Sequence, residues 1–205
     1  MSRPRFHRLP AEQQTAILDA ALQEFAGHGF DGASLNRIIE TTGTSKGAMY
    51  YYFDGKEDLY ADVIRRQLER LFDDSGPIPV PAVSDPDSFW ATMEEHYLGL
   101  MRLLIATPET ATLLRNWLTG TGAPALHAAQ QEAGQDILPW LIDAVTAGQQ
   151  IGAVRTDLPT DLLIAVAMGM GQAMDIWLIT QPDEGTDLAE SVHALMDLMR
   201  RALAP

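Results

Sequence analysis

Apolar residues recur every three to four positions along most of the chain, and this spacing predicts helices. The first helix is predicted over residues 11–26, where one apolar stripe continues from turn to turn. That stripe is formed by Ile17, Leu18, Ala21, Leu22 and Phe25. Pro10 stands at the entry and Gly27 and Gly29 stand at the exit, and these residue types favour helix starts and helix ends respectively.

Two short helices are predicted next. Ser34 is the expected N-cap of the second helix, and Gly43 ends it because glycine readily adopts positive φ at a helix C-terminus. The side chains of this helix that are expected to face the core are Leu35, Ile38 and Ile39. The third helix is predicted over residues 45–52. Three helices, the last two short and joined by a glycine turn, are the layout of a helix-turn-helix domain.

Six further helices complete a predicted all-α chain of about nine helices. They are predicted over residues 56–73, 87–106, 108–119, 124–150, 160–180 and 186–203, with a possible kink at Pro139. The proline-rich stretch 75–81 breaks helix, because proline lacks an N–H donor and disfavours helix before it. No segment has the pattern of a convincing strand. The pattern therefore predicts a helix-turn-helix domain over residues 1–56 and a second helical domain over residues 57–205.

The formal net charge of −14 is distributed unevenly. Residues 1–56 contain six basic and six acidic side chains, so the whole excess of negative charge lies in residues 57–205. An acidic second domain would be repelled by DNA and could orient the first domain toward it. An equally good interpretation is that the acidic surface serves only to keep the protein soluble.

Several kinds of site are disfavoured by composition. The chain has no cysteine, which excludes disulfides, cysteine-ligated metal sites and a cysteine nucleophile. His96 and His127 lack partners at metal-ligand spacing, so no metal site is predicted. No arrangement of nucleophile and base is evident. We therefore expect no enzymatic activity and no cofactor.

Residues 162–179 are long and apolar enough to cross a membrane, but Gln172 and Asp175 interrupt them. An ionisable residue near the middle of a bilayer is costly, so we predict a buried helix of a soluble protein and no membrane partner. The first thirty residues lack the uninterrupted apolar core of a secretory signal. Together these features predict a cytoplasmic protein.

The third predicted helix combines residue types that suit contact with nucleic acid. The first turn of a helix leaves N–H groups unpaired, and its dipole favours an anion there. Thr44 and Ser45 add hydroxyl donors, and Lys46 adds a cation that can reach a phosphate or a guanine edge. Gly47 has no side chain, which allows the helix to approach DNA closely, although glycine costs up to about 1 kcal/mol in a helix.

Three more residues around this helix can reach a DNA backbone. Tyr50 and Tyr51 can donate hydrogen bonds to phosphates, and Lys56 can bind the backbone from the side. Each residue also has a purely structural interpretation, in which Ser45 is only a cap, Gly47 a weak helix residue and one tyrosine part of the core. Met49 and Phe53, four positions apart, are predicted to be core. Taken together after the glycine turn, the set favours DNA binding.

The stretch from residue 33 to residue 59 resembles the DNA-binding domain of the tetracycline-repressor-like (TetR) family of bacterial transcription regulators. The resemblance is carried by Ala33-Ser34-Leu35-Asn36-Arg37-Ile38-Ile39, by Gly43-Thr44-Ser45-Lys46-Gly47-Ala48-Met49-Tyr50-Tyr51-Tyr52-Phe53, and by Lys56-Glu57-Asp58-Leu59. It covers about residues 11–60. It implies an all-helical homodimer with a small-molecule pocket in its second domain, which leaves operator DNA when a ligand binds.

By position, the resemblance implies a phosphate contact for Ser34 at the start of the second helix. It implies contacts with base edges or backbone in the major groove for Thr44, Ser45, Lys46 and Gly47, and backbone contacts for Tyr50, Tyr51 and Lys56. Thr44 stands where the family often has an apolar residue, and Tyr52 where it often has histidine. Asp54 weakens the local positive field. Arg3, Arg5 and Arg8 precede the first helix and form either a flexible arm for a minor groove or a disordered terminus.

The second domain offers two sets of candidate residues. A dimer interface is predicted from a strip of small residues in helix 160–180 and an apolar stripe in helix 186–203, with an internal core helix as the alternative. The interface residues are Ala165, Gly169, Ala173, Trp177, Val192, Leu195, Met196 and Met199. Aromatic, methionine and histidine residues predict a ligand pocket, with ordinary core packing as the alternative for each. These residues are Trp90, Met93, His96, Tyr97, Met101, Trp117, His127 and Trp140.

The leading hypothesis is a ligand-responsive transcriptional regulator, most simply a repressor that binds a palindromic operator as a dimer. A transcriptional activator of the same fold and a ligand-free protein-interaction module are the alternatives. A helical enzyme with a vestigial first domain is disfavoured, because the sequence shows no catalytic constellation.

Overall fold

The computed structural model describes residues 3–76, 85–119, 138–180 and 187–205. A short 3-10 turn at Phe6–Arg8 precedes the helices. These are α1 (Ala11–Gly32), α2 (Leu35–Thr42), α3 (Lys46–Tyr52), α4 (Lys56–Ser75), α5 (Pro86–Ile105), α6 (Pro108–Thr119), α7 (helical over the described residues 138–150), α8 (Thr160–Thr180) and α9 (Leu188–Leu203). No strand occurs in these ranges, which confirms the all-α class.

Helix α1 is longer than predicted. Regular helical geometry ends at Gly29, whose φ of 65° and ψ of 175° lie outside the helical region, and the turn continues to Gly32. The predicted end was therefore early by a few residues, because Gly27 is accommodated within the helix. The apolar stripe of the first helix is buried as predicted, and Ala21 and Phe25 are fully inaccessible to solvent.

The chain divides into two compact units. The first comprises Met1–Leu71 and Thr107–Ala133, and the second comprises Phe72–Ala106 and Gly134–Pro205. This division differs from the predicted one at residue 56, because α4 contributes a buried face to the first unit down to Leu71 and α6 packs on α1. The functional division into residues 1–56 and 57–205 stays a prediction.

The first unit is built around α1, α4 and α6. The rings of Phe25 in α1 and Tyr60 in α4 meet edge to face with centroids 4.8 Å apart, and burial raises the pKa of Tyr60 to about 12. A buried polar contact also joins two helices of this unit. The Thr110 hydroxyl donates to Oε1 of Gln67 over 3.0 Å, so α6 is joined to α4 by a buried hydrogen bond.

The second unit contains α5, α7, α8 and α9. The Nε1–H group of Trp90 in α5 donates to the carbonyl oxygen of Ala153 over 3.1 Å. Gly148 in α7 admits no side chain, because a Cβ there would lie 2.5 Å from Cγ2 of Val154 and 3.0 Å from the Phe89 ring. The bounds of α8 are as predicted. The predicted helix 124–150 is helical from residue 138, and its first part lies outside the described residues.

Helix α8 is long and apolar enough, by length and composition, to cross a membrane. Within one chain it is less buried than predicted, since Leu162, Val166 and Trp177 are exposed to between about a third and a half of their surface. Leu163 and Met174 are buried, so one side of the helix faces the core of its unit. The helix therefore presents a second apolar side that the described residues of the chain do not cover.

Candidate nucleic-acid interface

The turn between α2 and α3 is built as the sequence predicts. Gly43 closes α2 with a φ of 66° and a ψ of 10°, the left-handed conformation that glycine tolerates best. Ser45 is the N-cap of α3, and its hydroxyl oxygen accepts a hydrogen bond from the Ala48 N–H over 3.1 Å. Between them, the half-buried Thr44 is held because its N–H donates to the Thr42 hydroxyl over 3.3 Å. The turn thus fixes where α3 begins.

Helix α3 has two distinct faces. Met49 and Phe53 are 1% exposed, which confirms that they belong to the core. The opposite face carries the exposed residues Lys46, Gly47, Tyr50 and Tyr51, which pair at the i, i+4 spacing of neighbours on one helix face. A Cβ at Gly47 would meet nothing within 4 Å, so no internal packing requires glycine there. This face is free to meet a partner.

A buried carboxylate positions the start of α2. Oε1 of Glu24 accepts the Ser34 N–H over 2.8 Å and the Arg37 Nε–H over 2.8 Å, and Arg37 also donates to the Gly32 carbonyl over 2.7 Å. The hydrogen bond from Arg37 is the main cause of the lowered pKa of Glu24. Ser34 makes no side-chain cap bond to α2, so its hydroxyl is left for other contacts.

Lys56 is engaged within the first unit. Its Nζ donates to the carbonyl oxygens of Asp31 over 3.1 Å and Ala33 over 3.3 Å, and it lies 4.7 Å from the centroid of the Phe30 ring. Lys56 thereby joins the start of α4 to the segment just before Ser34. The sequence did not predict this structural role, and the predicted phosphate contact of Lys56 stays a prediction.

The N-terminal segment is neither a free arm nor a disordered terminus from residue 3 onward. The Arg3 N–H donates to the Tyr52 carbonyl over 2.9 Å, and its guanidinium donates to the Tyr50 carbonyl over 3.3 Å and pairs with Asp54. Phe6 is 2% exposed and packs on Phe53 with ring centroids 4.8 Å apart. The segment is therefore docked on the C-terminal end of α3.

The second unit holds most of the candidate ligand residues. Trp90 and Met101 are buried, whereas Met93, His96, Tyr97 and Trp140 are partly exposed. Two of the predicted residues do not join them: Trp117 lies in the first unit, and His127 lies outside the described residues. The structure thus brings the predicted pocket residues of α5 and α7 into one unit, whereas Trp117 belongs to the other unit.

A half-buried acid in α8, Asp175, is hydrogen-bonded to one of these residues. The Tyr97 hydroxyl donates to Oδ1 of Asp175 over 2.8 Å. Burial raises the pKa of Asp175 to about 6, and it is also the main cause of the raised pKa of Tyr97. The sequence signal for this acid was its position inside an apolar run, but its partner 78 positions away could not be found from spacing.

Two polar atoms of the same unit are buried without a hydrogen-bond partner in the described part of the chain. They are Nε2 of His96 and Nε1 of Trp140. Burial also lowers the pKa of His96, which favours its neutral form. Unsatisfied buried polar atoms are costly unless a ligand or water completes them. No group of three acidic or histidine side chains that could hold a metal occurs among the described residues.

The candidate dimer residues differ in exposure. Ala165, Gly169, Ala173 and Trp177 lie on the exposed side of α8, and a Cβ at Gly169 would meet nothing within 4 Å. On α9, Leu195 and Met199 are half-buried, but Val192 and Met196 are buried inside the single chain. The side chains of Val192 and Met196 therefore fill the core of their own unit and are not on its surface.

Comparison with known proteins agrees with this geometry. Residues 17–63 match the family model described as bacterial regulatory proteins, tetR family. The chain is 28% identical over 192 residues to the HTH-type transcriptional repressor SCO4008 of Streptomyces coelicolor, covering 88% of this chain and 90% of that one. It is 27% identical over 157 residues to the HTH-type transcriptional repressor Rv1474c of Mycobacterium tuberculosis, covering 75% of each.

A solved structure shares the fold over nearly the whole chain. The transcriptional regulator FadR of Bacillus subtilis, solved in complex with stearoyl-CoA, superposes with a TM-score of 0.66 at 20% identity. The match covers 90% of this chain and 96% of that one. The glycine turn, the capped third helix and the matched segment agree with one another, and residues 17–63 of the chain belong to the TetR family of bacterial regulatory proteins.

Proposed function

We propose that the protein is a ligand-responsive transcriptional repressor, which binds a palindromic operator as a homodimer and is released by a small molecule. Residues 1–56 would contact DNA, and residues 57–205 would bind the effector and the second protomer. The protein would act in the cytoplasm. The observation that carries the proposal is the exposed face of α3, because it combines a cation, two phenols and a glycine that no internal packing requires.

The chemistry of this face suits a major groove. Lys46 would reach a phosphate or a guanine edge, and Gly47 would let the helix backbone approach the DNA. Tyr50 and Tyr51 are 46% and 48% exposed, and their hydroxyls would donate to phosphates. Ser34 would supply a further phosphate contact from the start of α2. Thr44 and Ser45 would approach the DNA at the start of α3, beside Lys46.

The exposed side of α8 supports a homodimer. Ala165, Gly169 and Ala173 form a strip without bulk, which lets a second helix approach closely, and Trp177 adds apolar area beside it. Apolar surface of this kind is stabilised when a second copy covers it. A two-fold dimer would place two α3 helices in successive major grooves, about 34 Å apart, which requires a palindromic operator.

The second unit supports an effector site. Nε2 of His96 and Nε1 of Trp140 are buried and unpaired in the described part of the chain, so a bound molecule with complementary polar groups would stabilise this unit. Stearoyl-CoA in the structure of FadR is an example of a ligand held by this fold. Release follows if the ligand binds more tightly to a conformation that cannot bind the operator.

The test of DNA binding uses the purified protein and the DNA upstream of its own gene. We expect protection of a palindromic site at low salt, and affinity that falls steeply as salt rises, with a logarithmic slope of about −0.9 per phosphate contacted. Lys46→Ala and Tyr50→Phe should each weaken binding, whereas Arg66→Ala removes a cation of α4 and should change binding little. Absence of any protected site, or unchanged binding by the first two variants, would contradict the proposal.

The test of regulation combines thermal stability with DNA release. Compounds that raise the melting temperature are added to the complex of protein and operator, and we expect at least one of them to release the DNA. A reporter gene under the protected site should be expressed more strongly when the regulator is deleted. Weaker expression would instead identify an activator, and stabilising compounds that never release DNA would argue against effector control.

A further inference from the structure

The N-terminal segment places a further cation, Arg5, beside the exposed face of α3. The guanidinium of Arg5 lies 4.2 Å from the centroid of the Tyr51 ring, which is the stacking distance of a cation–π contact. Arg5 is exposed, and among the described residues its side chain has no carboxylate partner. Stacking uses the flat face of the guanidinium and leaves its N–H edges directed outward.

The segment that carries Arg5 is fixed at several points. Arg3 donates its N–H to the carbonyl of Tyr52, the last residue of α3, and this carbonyl has no partner inside the helix. The Arg3 guanidinium pairs with Asp54 and so also offsets the charge that was expected to weaken the local positive field. Phe6 anchors the segment in the core beside Tyr52 and Phe53. Arg5 is thus held between two anchored residues.

We propose that residues 3–8 form a brace on the end of α3, in which Arg3 positions the segment and Arg5, stacked on Tyr51, binds a DNA phosphate directly. The inference rests on the proposed function, since it assumes that α3 meets DNA. It differs from the flexible-arm interpretation, because the cation is held in place before DNA arrives. Tyr51 and Arg5 would donate to the same stretch of backbone, the tyrosine through its hydroxyl and the arginine through its N–H edge.

A matched pair of variants tests the contact. Arg5→Ala and Arg8→Ala each remove one positive charge from an exposed site of the same short segment, but only Arg5 is stacked on α3. The probe is a labelled duplex that the wild-type protein selects from a random-sequence library. We expect Arg5→Ala to weaken binding about tenfold and to reduce the logarithmic salt slope by about 0.9, the value for one phosphate. Arg8→Ala should change the affinity less than about twofold, and equal effects of the two variants would overturn the inference.

The positioning role of Arg3 has its own readout. If Arg3 acts through Arg5, then Arg3→Ala weakens binding in the wild-type background and has little further effect when Arg5 is already alanine. A purely structural role of Arg3 would weaken binding equally in both backgrounds, which contradicts the brace. Failure of the wild-type protein to select any duplex would overturn the proposed function as well, whereas selection with normal binding by Arg5→Ala would overturn this inference alone.

Discussion

Two carboxylates, a buried one in the first unit and a half-buried one in the second, have opposite pKa shifts. Glu24 in the first unit accepts hydrogen bonds from Arg37 and from the Ser34 N–H, and its pKa is lowered. Asp175 in the second unit accepts a bond from the Tyr97 hydroxyl, has no cation paired with it among the described residues, and has a pKa raised to about 6. The partners of Glu24 therefore stabilise its charged form, whereas burial disfavours the charged form of Asp175.

The difference corresponds to what each unit is proposed to do. A surface that reads DNA must be held rigidly, and Glu24, Arg37 and the Ser34 N–H are paired with one another behind it. Elsewhere in the first unit, Nε2 of Gln67 and Nε1 of Trp117 are buried without a hydrogen-bond partner among the described residues, so the contrast applies to the two acids and not to every polar group. A unit that responds to a ligand benefits from interior groups whose pairing is incomplete, because a ligand then changes its stability most. The buried unpaired atoms of His96 and Trp140 belong to this second kind.

The largest expected effect on stability comes from removing the carboxylate of Glu24. Glu24→Ala removes the acceptor of the Ser34 N–H and the carboxylate that accepts from Arg37, which keeps its bond to the Gly32 carbonyl, and we expect the free energy of unfolding to fall by about 3 kcal/mol. Urea unfolding at neutral pH measures it. Glu40→Ala, which removes an exposed acid from α2, should change stability by less than about 0.5 kcal/mol. Similar losses for the two variants would show that Glu24 has no special role.

The pH dependence of the Glu24 contribution has a definite sign. Because folding lowers its pKa, the stabilisation is present above the ordinary carboxyl pKa and is lost as the pH falls through the lower value of the folded state. The difference in stability between wild type and Glu24→Ala should therefore shrink on acidification. A difference that stays constant down to strongly acidic pH would contradict the ion-paired state of Glu24.

Asp175 should show the opposite sign. Its pKa is raised from 3.8 to about 6, so the folded state holds a proton that the unfolded state has lost, and stability falls as the pH rises through this range. We expect the stability of the wild type relative to Asp175→Asn to fall by about 2 kcal/mol between about pH 4 and pH 7. Asp161→Asn changes an exposed acid of the same helix and should keep the wild-type profile. A wild-type profile in Asp175→Asn would refute the assignment.

The smallest expected effects on stability are those of replacing two glycines of the helix-turn-helix, and the two replacements should act in opposite directions. Gly43 has positive φ, so Gly43→Ala should destabilise the first unit by about 1 kcal/mol through backbone strain. Gly47 has open space around it in a regular helix, so Gly47→Ala should stabilise by up to about 1 kcal/mol while weakening DNA binding. Thermal unfolding and DNA titration measure the two quantities. Intact DNA binding by Gly47→Ala would mean that the helix does not approach DNA closely.

Local signals in the sequence were sufficient for much of the fold. The bounds of α6 and α8, the left-handed turn at Gly43 and the core positions Met49 and Phe53 are confirmed. Each depends on periodicity or on one residue type at a helix end, which operate over a few positions. Of the candidate contacts, Lys46, Gly47, Tyr50 and Tyr51 are brought to one exposed face, and their roles stay predictions.

Contacts between distant residues could not be predicted in this way. Glu24 is 13 positions from Arg37, Lys56 is 25 from Asp31, and Arg3 is 51 from Asp54. A single sequence gives the chemistry of each side chain but no distance between them. The same limit applies to Val192 on the apolar stripe of α9. Its position on the stripe fits both the core of one chain and an interface between two chains, and only its burial within one chain distinguishes them.

The docking of Phe6 and Arg3 on the end of α3 also affects how relatives should be compared. The family model aligns residues 17–63, so it includes α3 but not the segment that holds the C-terminal end of that helix. Two relatives with the same α3 and different residues before α1 would be grouped together, although the C-terminal end of α3 is supported differently in each. Subgroups of this family that share an operator are therefore better defined when the alignment begins upstream of the first helix.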